Sequence, residues 1–377
     1  MIGAEAMASI NALLTAPWEA LAFCLLLIVA PAVAEPLHRR WHLPSLIAAL
    51  LVTLLTSNGA IAYVAVAIGA VVHAWGAWQA SRTGAVMLVA SAVLALAVAV
   101  ALQLDQLTLA FGLSCVTVAM RAGVMPLHIG VASLCDRAPV VQTQQLASTV
   151  ALVFIHLRFV DHHAAAIAAG PTLVRYGAVA AVLAALMTLV QKDLRGFYRG
   201  TTAMHGGMLF AAIGAASIGN FAAALLVAVS MGLALGGLGM MITSLEERVG
   251  PVMFRGPGGR IGAFPKLAGA FILFGGAGVG LPGTAGFVAD DLLLHTLWME
   301  SPTSTVVIIL SSAMVAVATL ITFSKTFLGK TVASLAPDLY PRERAVALTL
   351  LLLLLLLGFA PGVLLGPADA FLTAVPT

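Results

Sequence analysis

Charge is what this chain has least of. Only 9% of its 377 residues are Asp, Glu, Lys or Arg, against roughly 25% in an ordinary soluble domain, while 61% are hydrophobic. Eighteen basic and 15 acidic side chains cannot furnish the polar surface that a water-soluble fold of this mass needs, so most of the exterior faces hydrocarbon. The net charge of +3 is scattered without a basic stripe, which excludes nucleic acid as a partner. Cysteine is nearly as scarce. Cys24, Cys115 and Cys135 lie in or beside apolar runs with no C-x-x-C spacing, which argues against disulfides, iron–sulfur clusters and structural zinc. Walker, Rossmann and nucleophile-elbow motifs are lacking as well. No cofactor or metal is expected, the chain shows no catalytic motif of its own, and redox chemistry belongs to a partner.

What the chain has is apolar runs. At about 20 residues per crossing there is room for roughly a dozen membrane helices and no soluble domain. Spans are predicted near 18–36, 44–57, 60–78, 84–102, 105–121, 140–158, 172–190, 200–219, 221–243, 265–281, 285–298, 303–327 and 345–366. Some of these are too short to cross alone, which makes the expected count ten to thirteen. The first run follows acidic Glu5 and Glu19 and lacks the basic leader of a signal peptide, so it reads as a retained helix. Arg39, Arg40 and Arg82 mark two connections as cytoplasmic, whereas 57–59 and 102–106 carry no basic residue, which puts the N-terminus outside. Trp41, Trp75, Trp78 and Trp298 fit the aromatic belts of a bilayer. The leucine run 350–357 is explained by lipid contact. The Gly- and Pro-containing polar stretch 246–260 reads as an exposed loop that splits the chain. The expected organisation is N-terminal helices over 1–104, a first bundle over 105–245, that loop, and a second bundle over 261–377.

Two stretches depart from plain spanning helix. MRAGVMPLHIGVASLCDRAP (120–139) places Arg121, Pro126, His128, Asp136 and Arg137 in apolar surroundings, and GVGLPGTAGFVADDLLLH (278–295) breaks at Gly and Pro just before Asp290 and Asp291. Interrupted helices in both halves are how transporters expose backbone groups to an ion path.

With QKDLRGFYRGTTAMHGGMLFAAIG (191–214) between them, these strings resemble, in order and spacing over about 105–330, the antiporter-like proton-translocating subunits of respiratory complex I, membrane-bound hydrogenases and Mrp-type antiporters. The resemblance implies an all-α polytopic membrane bundle of inverted repeats with two broken helices. It puts Arg121 where relatives keep a lysine proton carrier and matches Pro126 and His128 to a P-x-H. It also matches Pro139 and Val140 to a P-V, and sets Gln145 where relatives have histidine. Asp193, Arg195, Thr202 and Gly207 line up with the second string, Arg195 falling on a lysine with Lys192 nearby. Asp290 falls on the terminal carrier. Departures are equally specific. Ser230 and Ala234 stand where relatives often have lysine, and no earlier acid matches the usual partner of the first lysine, Glu35 being the nearest. The chain ends soon after its last span and is short at its N-terminus. In this it resembles the membrane subunit of two-component inorganic-carbon accumulation systems (DabB type), whose soluble zinc-containing partner performs carbonic-anhydrase-like chemistry.

Ionisable groups inside a bilayer cost about 2.5–3.5 kcal/mol each on insertion scales, so those unable to reach an interface are functional candidates. The expected ion path runs over Arg121, His128, Gln145, Lys192, Arg195, His205, Asp290, Asp291, His295 and Lys325. Arginine keeps its proton, so Arg121 sets the field rather than carrying the ion. Asp291 and His295 share a helix face at i, i+4 and suit a relay, although a cap after the GTAG turn explains the acids equally. Lys325 suits either the path or a snorkelling end. HLRFVDHH (156–163) reads as a polar interfacial connection rather than a metal site. The expected function is non-redox translocation of protons or Na⁺ in the inner membrane of a bacterial-type cell. It is exercised with other subunits of a complex, among them the zinc-containing partner if inorganic carbon is the cargo. The competing readings are a scaffold that has lost conduction, a subunit of a redox complex, and a standalone transporter.

Overall fold

The computed structural model describes residues 58–365, apart from 138, 162–163, 218–219, 333 and 335, together with 47, 51–52 and 56. The predicted spans 18–36 and most of 44–57, with Cys24, Glu35, Arg39, Arg40, Trp41, His162 and His163, lie outside the described residues. The helices described are α1 (Gly59–Ala77), α2 (Arg82–Gln103), α3 (Leu107–Ala122), α4 (Ile129–Arg137), α5 (Pro139–Phe159), α6 (Ala164–Leu189), α7 (Leu194–Ala216), α8 (Phe221–Val249), α9 (Pro265–Gly278), α10 (Ala285–Glu300), α11 (Pro302–Phe327) and α12 (Pro341–Phe359). No strand occurs among the described residues.

Local chemistry places the helix starts. Asn58, Ser81, Asp193 and Asn220 each accept a hydrogen bond from a backbone N–H three residues on, at 3.2, 3.1, 2.7 and 3.1 Å. Pro265, Pro302 and Pro341 open their helices at the first position, where a missing N–H has no consequence. The chief departure from the predicted spans is α6, which begins at 164 and continues through Pro171 where a proline boundary is expected. Membrane helices tolerate this because neighbouring groups satisfy the freed carbonyl.

Connections with and without cations alternate along the chain. Those at 104–106, 160–163 and 217–220 carry no Lys or Arg, whereas Arg82, Arg137, Lys192, Arg255, Arg260, Lys266 and Lys330 all belong to the opposite set. One face of the bundle is therefore basic, the charge asymmetry on which the expected orientation rests. Trp75, Trp78 and Trp298 are exposed near helix ends, as an aromatic belt requires.

Helix α8 is buried along most of its length and forms the hub, with α5, α7, α9, α10 and α12 packed around it. Helices on both sides of the 246–260 stretch thus share one core. That stretch is itself held down. Leu194 N donates to Val252 O and Phe254 N to Lys192 O, at 3.0 and 2.8 Å, and Gly259 N donates to Leu328 O at 2.9 Å. The leucine run departs from a purely lipid-facing reading. Leu350, Leu354 and Leu357 are buried at helical spacing, while Leu352, Leu355 and Leu356 face outward.

Both predicted helix breaks are present. Between α3 and α4 the chain turns through 123–128, and between α9 and α10 through 279–284. Gly123 and Gly280 both have φ of 77°, a left-handed conformation that a side chain would strain.

Candidate functional site

The two breaks meet the same helix at adjacent residues. On one side of α7, Gly206 packs against the carbonyl of Ala122 at the end of α3, an approach so close that a Cβ there would collide with it. On the other, His205 Nε2 lies 2.5 Å from the Gly278 carbonyl at the end of α9. Helix α7 is therefore a bridge between two helix ends whose last carbonyls lack intrahelical partners.

Arg121 stands at the first break. It is only 1% exposed, and its Nη2 donates to Gln145 Oε1 at 3.1 Å and to Ser148 Oγ at 2.5 Å. Its Nε and Nη1 are buried with no hydrogen-bond partner, as are both amide atoms of Gln142 and Nε2 of Gln145. No carboxylate lies within 4 Å of the guanidinium among the described residues. A permanent charge is thus held in the protein interior by neutral groups, an arrangement that sets a strong local field at the price of desolvation.

His205 has Nδ1 2.8 Å from the Thr201 carbonyl as well as Nε2 on Gly278. A neutral imidazole carries one N–H and an imidazolium two, so gain or loss of a proton changes which contact is a hydrogen bond. Ala234 approaches the same glycine and offers only a methyl group to the second break.

Asp290 closes the line. A Cβ on Gly280 would lie 2.9 Å from its Oδ2, so the carboxylate rests on the second break. It also lines a cavity of about 130 Å³ with Met208, Leu293, Ile308 and Ser312, which is room for several waters. No ion pair or hydrogen bond to Asp290 occurs among the described residues.

Of the other predicted path residues, His128 alone lies at a break. His128 is half-buried in the first break, its Nδ1 enclosed without a partner. Arg195 is paired with Glu246 at 2.5 Å and also donates to the Asp136 carbonyl. Lys192 and Lys325 are exposed on the basic face, the Lys325 ammonium sitting 5.8 Å from the Phe254 ring centroid. Asp291 and His295 are both exposed, and no hydrogen bond joins them. Ser148 and Gly206 were not legible as site residues. Ser148 is one turn from Gln145 on the same face of α5, which is the one signal that points to it.

Residues 18–322 match the family model described as NADH:quinone oxidoreductase/Mrp antiporter, transmembrane. NADH-quinone oxidoreductase subunit M of Escherichia coli K12 is 26% identical over 251 residues, covering 64% of this chain and 49% of that protein. Subunit M of Rhodobacter capsulatus is 29% identical over 205 residues, 52% of this chain and 39% of that one. The chain thus spans about half the length, or less, of these relatives. A chain of respiratory complex I from Thermus thermophilus superposes with a TM-score of 0.80 at 21% identity, over 95% of this chain and 84% of its own. One of the Mrp complex from Dietzia sp. superposes at 0.74 and 16%, over 94% and 82%.

Proposed function

The chain belongs to the NADH:quinone oxidoreductase/Mrp antiporter family of transmembrane subunits, and from that premise we propose that it is a non-redox, proton-translocating subunit of a larger complex in a bacterial-type inner membrane. The observation that carries this reading is the line from Arg121 through α7 to Asp290, in which one helix touches both breaks and sets a titratable ring, His205, against the second. Arg121 sets the field, and His205 and Asp290 take and release the proton. Arg195, Lys192 and Lys325 belong to the basic face, where they attract or pair charge, and Gln145 orients Arg121 where relatives carry a histidine. His128 extends the path through the first break.

An exposed charge with no ion-pair partner among the described residues supports the partner. Arg175 is exposed midway along α6, and the neighbouring Tyr176 hydroxyl donates to the Met125 carbonyl in the first break at 2.5 Å, which fixes its depth. An arginine there is costly against lipid and is satisfied by an acidic group on an adjacent subunit.

The finer reading is that the proton flux energises uptake of inorganic carbon through a soluble zinc-containing, carbonic-anhydrase-like partner. It rests on Ala234 and Gln145 standing where carriers are usual, and a gene for such a partner beside this one is the observation that tests it.

The direct test is proton flux into vesicles holding the intact complex. Asp290→Asn is expected to reduce it to background while the complex still assembles. Unchanged flux in that variant sinks the relay, and a wild-type complex with no flux makes the chain a scaffold.

A further inference from the structure

A second buried polar chain lies apart from the two breaks. The Tyr63 hydroxyl on α1 is 2.5 Å from Ser114 Oγ on α3, which is 2.8 Å from His156 Nδ1 on α5. His156 Nε2 is 3.9 Å from Asp161 Oδ1 in the α5–α6 turn, and Ser217 beyond α7 donates to that same oxygen at 2.6 Å. All five residues are at most 5% exposed. We propose that Asp161, His156, Ser114 and Tyr63 form the proton-exchange branch between the Arg121 centre and the membrane face that lacks basic connections.

Position supports this. Ser114 and Arg121 are seven residues apart on α3, two turns and about 10 Å along one helix face, with buried Thr117 between them. His156 and Gln145 are 11 residues apart on α5, three turns along one face and about 16 Å. The interface of α3 and α5 therefore carries polar groups at mid-membrane and again at the face where Asp161 lies.

Several groups among the described residues face the pair. Tyr63 comes from α1, Ser114 and Cys115 from α3, and Ser217 from the end of α7. Arg158 on α5 itself donates to the Thr56 carbonyl at 2.9 Å and lies 4.7 Å from the Phe159 ring centroid. Asp161 Oδ2 has no partner and is free to take a proton. Burial pushes this carboxyl up to about 7, against the Ser217 hydrogen bond, which suits exchange near neutral pH.

The transfer balances without a co-reactant. A proton taken up on Asp161 passes to His156 Nε2, across a gap that a ring rotation or one bridging water closes. The imidazolium then gives its Nδ1 proton to Ser114 Oγ, as that hydroxyl, held by Tyr63, passes its own to a water beside Thr117 on the Arg121 side of the α3–α5 interface. The ring resets by tautomer exchange.

This branch rests on the proton-translocating reading, and vesicle flux separates the two. Asp161→Asn and His156→Gln in the intact complex are expected to slow flux by about a hundredfold, the lower end of what a positioned acid–base group contributes. Thermal midpoint and assembly should hold, and Asp161→Glu should restore flux. Flux that responds to Asp290→Asn but not to Asp161→Asn overturns the branch alone. So does a loss of flux that follows loss of folded protein and is not rescued by Asp161→Glu. A wild-type complex without flux overturns both readings.

Discussion

The basic face and the membrane interior treat charge in opposite ways. On the face, Arg195 meets Glu246 at 2.5 Å, Arg199 meets Asp136 at 2.6 Å and Arg248 meets Glu343 at 2.6 Å. The last pair is buried and further tied down, with Ser244 donating to Glu343 at 2.8 Å and Arg248 donating to the Pro337 and Asp338 carbonyls at 2.9 Å. In the interior, Arg121 and Asp290 have no ion-pair partner among the described residues. Where pairing is available it serves to lock α7, α8 and α12 at one end of the bundle. Where it is withheld, a charge stays sensitive to any proton or ion that comes near, and conduction needs that sensitivity.

The contrast can be broken at four points. Asp290→Asn has the largest expected effect, loss of gradient-dependent activity to background with assembly intact, read as proton flux in vesicles. Arg248→Ala removes one partner of a buried pair and should destabilise by about 3–5 kcal/mol, seen as a lower thermal midpoint in detergent. Replacing Arg248 and Glu343 together by Met and Leu should restore most of that loss. Gly206→Ala drives a methyl into the Ala122 carbonyl and should cost about 1–3 kcal/mol, with flux falling more than the midpoint because the contact joins α7 to the first break. Lys325→Ala should change stability by less than about 0.5 kcal/mol and leave flux as it was. A large loss of flux in that last variant would make the basic face part of the path.

Each predicted span from 60–78 onward overlaps a helix because it is a long apolar run closed by Asn, Ser, Asp, Gly or Pro, although α6 starts eight residues early, α7 starts six early and α8 runs six further. Both breaks were legible for the same reason, since Gly and Pro interrupt runs that are otherwise continuous. The sides of the helices were not. In a leucine run every face has the same composition, so only packing reveals that Leu350, Leu354 and Leu357 turn inward. Asp291 and His295 share a face as their spacing implies, but that face is exposed. Asp161 and His156 read as an interfacial polar stretch because the partners that enclose them, Tyr63, Ser114 and Ser217, come from sequence positions 42 to 98 residues away from one or the other.

The sequence by itself determined that this chain lives in a membrane, is built of helices over its described residues and breaks two of them near charged residues. Those properties follow from composition and from local backbone chemistry, each of which acts within a few residues. Only the tertiary structure decided which charges are paired, that both breaks touch α7 at His205 and Gly206, and that a polar chain runs from Asp161 to Tyr63. Each of these depends on which faces of distant helices meet, and an apolar pattern that must satisfy lipid and protein neighbours alike leaves that choice to packing.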